Sequence, residues 1–404
     1  MHVDFELGPE HRLLQRTVNE WGNRRVAPHI QELDARGTFD RDILKEMADL
    51  GLLGLCINEA HGGAGLDYIA LGLACEELEY FDTFLRVILS VHLGLNSLTI
   101  ATWGNDEQKA RYLTPQAKGE LIATYALTEP DAGSDAVGIR TYAQRQGTDY
   151  ILNGEKMWIS LADVADVFLT FAWTDPKKRE ARDHTGITAF LVERKMPGVS
   201  TRTIHGKLGI RAGNTGSIVF DDVYVPVENR LGQEHEGFKI AMSAIDQGRY
   251  TVAAGATGLV RACLDASVKY AKERSTFGVP LGQHQLIKEM IAEMVKNYDA
   301  ARLLYLRAGW MKNEGRRNTR ETALAKWFAC DASERAASDA VQLHGAYGYS
   351  DEYPVERFYR NCKGAVIYEG SREIQKLLQA DYALGLRADR PVRAMLPPHP
   401  FTNA

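Results

Sequence analysis

The chain has 404 residues, 45% of them hydrophobic and 25% charged, values of an ordinary globular protein that exclude disorder, coiled coil and collagen-like repeats. At this length two or three packed units are expected rather than one small module. Lysine and arginine total 48 against 53 acids, and the formal charge of −5 gives no general attraction to nucleic acid or to an anionic membrane, so a polyanionic ligand requires a local site.

The N-terminal stretch MHVDFELGPEHRLL carries acids and no apolar core, so it does not read as a secretory signal. No apolar run approaches the ~18 residues of a membrane-spanning helix, and a soluble protein is expected. From about Pro9 to Lys118 apolar residues recur at three- and four-residue spacing, as in Ile43, Met47 and Leu50, which predicts a helical domain over residues 1–120. The cluster His61-Gly62-Gly63-Ala64-Gly65 reads as a loop and not a phosphate cradle, because no strand precedes it.

Residues 121–237 carry short β-branched and aromatic runs, such as Val167 to Phe171 and Ile187 to Val192, and predict a small β domain. Asn153-Gly154 and Asp221-Asp222 supply tight-turn chemistry between runs, and Pro226 closes the last. The charged stretch Pro176 to His184 reads as a solvated loop. Helical patterning returns over 238–386, in segments rich in alanine, leucine, lysine and glutamate. The tail 387–404, with Pro397, Pro398 and Pro400, cannot continue a helix. No internal repeat is present. The cysteines Cys56, Cys75, Cys263, Cys330 and Cys362 form no CxxC pair, which favours reduced thiols in a cytoplasmic or similar space over disulfides or a zinc site, and no metal is expected.

Five segments interrupt the buried-looking sequence with polar residues and glycine. They are Tyr125 to Asp135 (YALTEPDAGSD), Asn153 to Ser160 (NGEKMWIS), Glu273 to Gly278 with His284-Gln285, Gln342 to Tyr349 (QLHGAYGY), and Ile367 to Gln375 (IYEGSREIQ). Singly each has a plain structural reading. The first is a turn with Asx caps, Trp158 a core aromatic, and Arg274 a complement to a helix dipole. Gln342 with its glycines is a helix C-cap, and Glu369 precedes an N-cap at Ser371 whose helix turns Ile374, Leu377 and Leu378 inward.

In this order and spacing the five segments resemble the acyl-CoA dehydrogenase family over roughly Phe5 to Leu386. The resemblance implies an α+β fold: an N-terminal helical domain, a middle antiparallel β-barrel or sandwich, and a C-terminal four-helix bundle. It also implies FAD as cofactor, an acyl-CoA substrate and electron-transfer flavoprotein as partner. Tyr125, Leu127, Thr128, Gly133 and Ser134, with Trp158, Ile159 and Ser160, match flavin-contacting segments. Arg274, Thr276, Phe277, His284, Gln285, Gln342, Leu343, Gly345 and Ala346 match the segments that hold the FAD pyrophosphate and adenosine across a subunit interface, which implies a homotetramer; Ser371 and Glu373 complete the cofactor set. Ala346 departs from a frequent second glycine.

The resemblance makes Glu369 the catalytic base. A thioester α-proton is too weakly acidic for water to remove, so a positioned base and enolate stabilisation are both required. In the family the thioester carbonyl is held by the backbone N–H of the glutamate and a ribityl hydroxyl. An enclosed Glu369 is expected to have a raised pKa. Some members take the base from another helix, but the matching position here is Gly248. Asp246, Arg249, Ser134 and Gly370 match substrate contacts, with a helix-surface ion pair as the plain reading of Asp246 and Arg249.

Arg86, flanked by apolar residues, resembles an arginine of glutaryl-CoA dehydrogenases; it either pairs with a distal substrate carboxylate or snorkels to solvent. Branched and alicyclic acyl groups stay open. Acyl-CoA oxidases share the fold but usually carry a further C-terminal domain, and an inactive scaffold would be expected to lack the base.

Overall fold

The helical spacing of the first third is realised in the computed structural model, which describes residues 6–388. The helices are α1 (Pro9–Trp21), α2 (Ile30–Arg36), α3 (Asp42–Asp49), α4 (Tyr68–Phe81), α5 (Thr83–Leu89), α6 (Leu98–Trp103), α7 (Asp106–Gln108) and α8 (Thr114–Ala117). Ile43 and Met47 bury one face of α3, and Leu50 lies just past its end. Gly62 to Gly65 form the expected loop after a single 3-10 turn.

A π-helical turn, Ser90–Ser97, joins α5 to α6. Contrary to the expectation of no long apolar run, Thr83–Trp103 is 21 residues with mean hydropathy 1.5, long and apolar enough to cross a membrane. Its apolar window is 89% buried inside the protein, so this is a core helix whose apolar surface is already covered by its neighbours.

The middle region folds as β1 (Ala123–Ala126), β2 (Tyr142–Gln146), β3 (Asp149–Ser160), β4 (Val167–Trp173), β5 (Ile187–Glu193), β6 (Val199–Thr203), β7 (Thr215–Val225) and β8 (Arg230–Leu231). The order is β6-β7-β3-β2-β4-β5-β8, with β1 beside β4. The sheet is mixed and not wholly antiparallel, because β1 runs parallel to β4, Ala123 opposite Val167. Every residue of β4 and β5 is buried, the pattern of strands covered on both faces.

Two expectations fail locally. Asn153-Gly154 and Asp221-Asp222 are not turns: they lie inside β3 and β7, facing each other at a bulge between Leu152 and Gly154. Asn153 Nδ2 donates to Asp222 Oδ1 at 3.0 Å and the Asp222 N–H to Asn153 Oδ1 at 2.9 Å. Residues that tolerate turn conformations serve a bulge equally well. The charged stretch from Pro176 opens with a short exposed helix, α9 (Pro176–Glu180), because Asp175 caps it by accepting from the N–H groups of Lys177 and Lys178.

The last region contains α10 (Gly237–Glu273), α11 (Gln285–Asn313), α12 (Thr319–His344), α13 (Val355–Ala365) and α14 (Arg372–Ala383). Every residue of α10 from Gly248 to Val260 is buried, as expected of a central helix packed on α4, α11 and α12. Ser371 does cap α14, accepting from the Ile374 N–H at 3.5 Å, but the inward face is Gln375 and Leu378. Leu377, expected inside, is 59% exposed. From residue 389 on, the tail lies outside the described residues.

Candidate active site

Helices α5, α6 and α10, the sheet and the loop before α14 enclose a cleft of about 1780 Å³. Single-ligand pockets run to roughly 300–1,000 Å³, so this cleft has room for a cofactor and a substrate together. It is lined by Arg86, Val91, Leu95 and Trp103 from the first region and by Tyr125, Leu127, Thr128, Gly133, Ser134, Trp158, Ile159 and Ser160 from the middle one. Asp246, Arg249, Glu369, Gly370 and Ser371 complete it.

The two sheet segments are tied together beneath the cleft. Lys156, fully buried, donates to Leu127 O at 3.2 Å, Phe171 O at 2.8 Å and Glu129 Oε1 at 2.7 Å. The Met157 N–H donates to Thr128 O at 2.9 Å, and Thr124 Oγ1 to Ser160 O at 2.6 Å. Trp158 is no core aromatic: it is 60% exposed and has φ 62. A bulky residue at positive φ is an outlier of the kind that clusters at ligand sites. An exposed indole and the hydroxyls of Thr128, Ser134 and Ser160 in a largely apolar cleft suit a flat heteroaromatic ring with polar edges, so these residues fit a flavin.

Glu369 projects into the same cleft from a backbone with φ 55. Lys326 of α12, also buried, donates to the carbonyls on either side, Tyr368 O at 2.9 Å and Gly370 O at 2.6 Å, and Gln375 Nε2 donates to Gly370 O at 2.9 Å. These donors hold the unusual conformation in place. Ser90 Oγ lies 3.1 Å from Glu369 Oε1, while the buried Oε2 has no hydrogen-bond partner among the described residues. Burial drives the carboxyl pKa up; Arg86, the Ser90 hydroxyl, Lys326 and Arg249 oppose it without cancelling the rise. An orphaned, desolvated carboxyl oxygen facing a cleft is a proton acceptor awaiting a donor.

One of the two expectations for Arg86 fails. It is 1% exposed, so it does not snorkel. Its Nε donates to buried Glu79 at 2.6 Å and its Nη2 to the Tyr368 hydroxyl. Gly255 makes room for this pair, because a Cβ there would meet Glu79 Oε2 at 2.0 Å and Arg86 Cγ at 2.8 Å. Arg249 and Asp246, 3.0 Å apart, line the cleft and are largely buried, so they are no surface pair.

The remaining cofactor candidates gather elsewhere. Arg274, Phe277, Gln285, Gln342, Gly345 and Ala346 are exposed, with Thr276 and His284 half-buried and 3.0 Å apart. Leu343 is buried against Tyr270 and Ala271, and Arg274 stacks on Tyr347 at 5.9 Å, which brings the two segments to one end of the bundle. None lines the cleft, nor does Glu373. The positive φ after α12 falls on Gly345, φ 60, and not on Ala346. Missed in the sequence were Ser90, Thr251 and Lys326; four-residue spacing from Arg86 was the one signal for Ser90.

Helical regions flanking a β region thus place Glu369, with its unpartnered Oε2, in a cleft with room for two ligands. The chain matches the acyl-CoA dehydrogenase N-terminal domain at residues 8–120, middle domain at 124–223 and C-terminal domain at 235–384. It is 39% identical to an acyl-CoA dehydrogenase of Bacillus subtilis over 385 residues, covering 95% of this chain and 100% of that one. A solved glutaryl-coenzyme A dehydrogenase in complex with glutaryl-CoA is similar at TM-score 0.93 and 38% identity, covering 96% and 99%. A chain from a structure of the electron transferring flavoprotein of Acidaminococcus fermentans is similar at TM-score 0.92 and 39% identity, covering 95% and 100%. The chain belongs to the acyl-CoA dehydrogenase family and is an oxidoreductase.

Proposed function

We infer that the protein catalyses FAD-dependent α,β-dehydrogenation of an acyl-CoA thioester to the 2-enoyl-CoA and passes the electrons to electron-transfer flavoprotein. The supporting observation is Glu369, buried, oriented by Lys326 and Gln375, with Oε2 unpartnered in a cleft shared with Thr128, Trp158 and Ser160. When bound, FAD supplies the acceptor for the β-hydrogen and its electron pair, at flavin N5. Glu369 takes the α-proton, and its backbone N–H holds the thioester carbonyl as negative charge develops there. Thr128, Trp158 and Ser160 seat the ring, and Arg249 with Asp246 steadies the substrate and the base loop. Exposed Arg274, Phe277 and Gln342 reach the cofactor of a neighbouring subunit in a homotetramer, in the cytoplasm or another reducing compartment.

A dicarboxylyl substrate is the second reading, favoured by Arg86 at the cleft wall and by the similarity to the glutaryl-CoA complex. Anaerobic mixing with butyryl-, isovaleryl-, cyclohexanecarbonyl- and glutaryl-CoA tests both. Bleaching of the flavin by at least one is expected, with transfer of the electrons to electron-transfer flavoprotein. Bleaching by none would overturn the activity. The dicarboxylyl reading requires glutaryl-CoA to lead, and to lose that lead when Arg86 and Glu79 are both replaced by glutamine.

A further inference from the structure

Behind Glu369 the hydroxyls of Ser90 and Thr251 make a short chain whose hydrogens can be counted. Thr251 Oγ1 donates to Gly248 O at 2.8 Å, which uses its single hydrogen. With that bond made, the 2.6 Å contact between Ser90 Oγ and Thr251 Oγ1, in which either hydroxyl can donate, is filled by the Ser90 hydrogen. The remaining contact, 3.1 Å from Ser90 Oγ to Glu369 Oε1, takes the Ser90 hydrogen when Glu369 is ionised; all three contacts are filled at once only when the acid form of the carboxyl supplies a third hydrogen. If Glu369 is ionised, Ser90 donates to Oε1, and Thr251 fills either the Ser90 contact or the Gly248 contact but not both, so one of the three stays empty. The partnerless Oε2 agrees, since a buried neutral C=O without a donor costs far less than a buried charge.

We propose that Thr251, by taking the Ser90 hydrogen, holds Glu369 in its acid form in the resting protein, so that Ser90 and Thr251 are positioning residues that decide when the base becomes ionised. The inference rests on Glu369 being the base. Groups around the carboxyl come from every packed element: Arg86 from α5, Arg249 and Asp246 from α10, Lys326 from α12, Glu79 and Cys75 from α4, Tyr125 from β1 and Tyr368 from its own loop. Glu79 and Asp246 already engage Arg86 and Arg249, and Lys326 is turned to backbone carbonyls. The hydroxyl chain is therefore the adjustable contact. Ionisation moves one proton from Oε1 to solvent, after which Oε1 accepts from Ser90 and the carboxylate can receive the substrate proton.

The test is an infrared titration of the flavin-loaded protein, with the carboxylic C=O band of Glu369 assigned by difference from Glu369→Gln. Thr251→Val frees the Ser90 hydrogen for the carboxylate, so the midpoint should fall by about one pH unit, the worth of one hydrogen bond to a charged group. Ser90→Ala removes that donor and should not lower it; Thr251→Ser should restore the parent midpoint. The pH profile of flavin bleaching should move with the band. A Thr251→Val midpoint that stays or rises, or a wild type with no protonated Glu369 band in the acid range, would overturn the proposal. Normal bleaching by Glu369→Gln would instead refute the base assignment and leave the titration standing.

Discussion

Glu369 occupies the space that a side chain at position 248 would fill: a Cβ built on Gly248 would stand 1.4 Å from Glu369 Oε2 and 2.9 Å from Leu95 Cδ2. The glycine that leaves α10 without a rival base is thus also the seat of the base it has.

Gly248→Ala should therefore injure chemistry more than folding. The colliding atom is the end of a side chain, which can swing away at the cost of its alignment, and misplacement of a reacting group by about 1 Å costs roughly 10²-fold. Bleaching by acyl-CoA should slow by that order while flavin content and melting temperature change little. An alanine variant with normal bleaching would show that the carboxyl does not react from this position.

Arg86 and Glu79 should behave as a unit. Removing one member of a buried pair leaves an uncompensated charge and costs about 3–5 kcal/mol, whereas replacing both by neutral groups costs much less. Urea unfolding should show Arg86→Gln strongly destabilised and the Glu79→Gln, Arg86→Gln double variant largely recovered. Equal losses in the single and double variants would contradict the pairing.

The raised pKa of Glu369 fixes the sign of a stability change with pH. The folded state binds this proton more tightly than the unfolded state, so the stabilisation is complete below the ordinary 4.5 and is lost as pH rises through the elevated folded value. Glutamine is neutral throughout. Melting temperatures of wild type and Glu369→Gln should converge in acid and separate in favour of the variant as pH rises. A gap that does not vary with pH would contradict a raised pKa.

Phe277 is 98% exposed at φ 52 and Tyr349 is 90% exposed at the same end of the bundle, an apolar surface suited to a neighbouring subunit. Phe277→Asp should shift sedimentation from the proposed tetramer to smaller species and release flavin. Unchanged mass and flavin would remove this face from the interface.

Much of the site was legible in the sequence. The five segments in their order mark the family, and three of them, with Arg86, Asp246 and Arg249, line one cleft. What stayed hidden depended on approach between distant elements. The partner of Arg86 is Glu79 on a separate helix, beyond the break at Asp82; Lys326 looked like any lysine on an alanine-rich helix until its ammonium met the Tyr368 and Gly370 carbonyls. Asn153-Gly154 misled because a bulge and a turn draw on the same residues. Leu377 misled because its neighbour Gln375, which donates to Gly370 O, takes the inward position.

The most direct measurement is anaerobic stopped-flow absorbance of flavin-loaded Glu369→Gln mixed with any acyl-CoA that bleaches the wild type. The variant should stay yellow, its bleaching slower by roughly 10²–10⁴-fold, the usual worth of a positioned general base. Bleaching at the wild-type rate would contradict the assignment of Glu369 as the base.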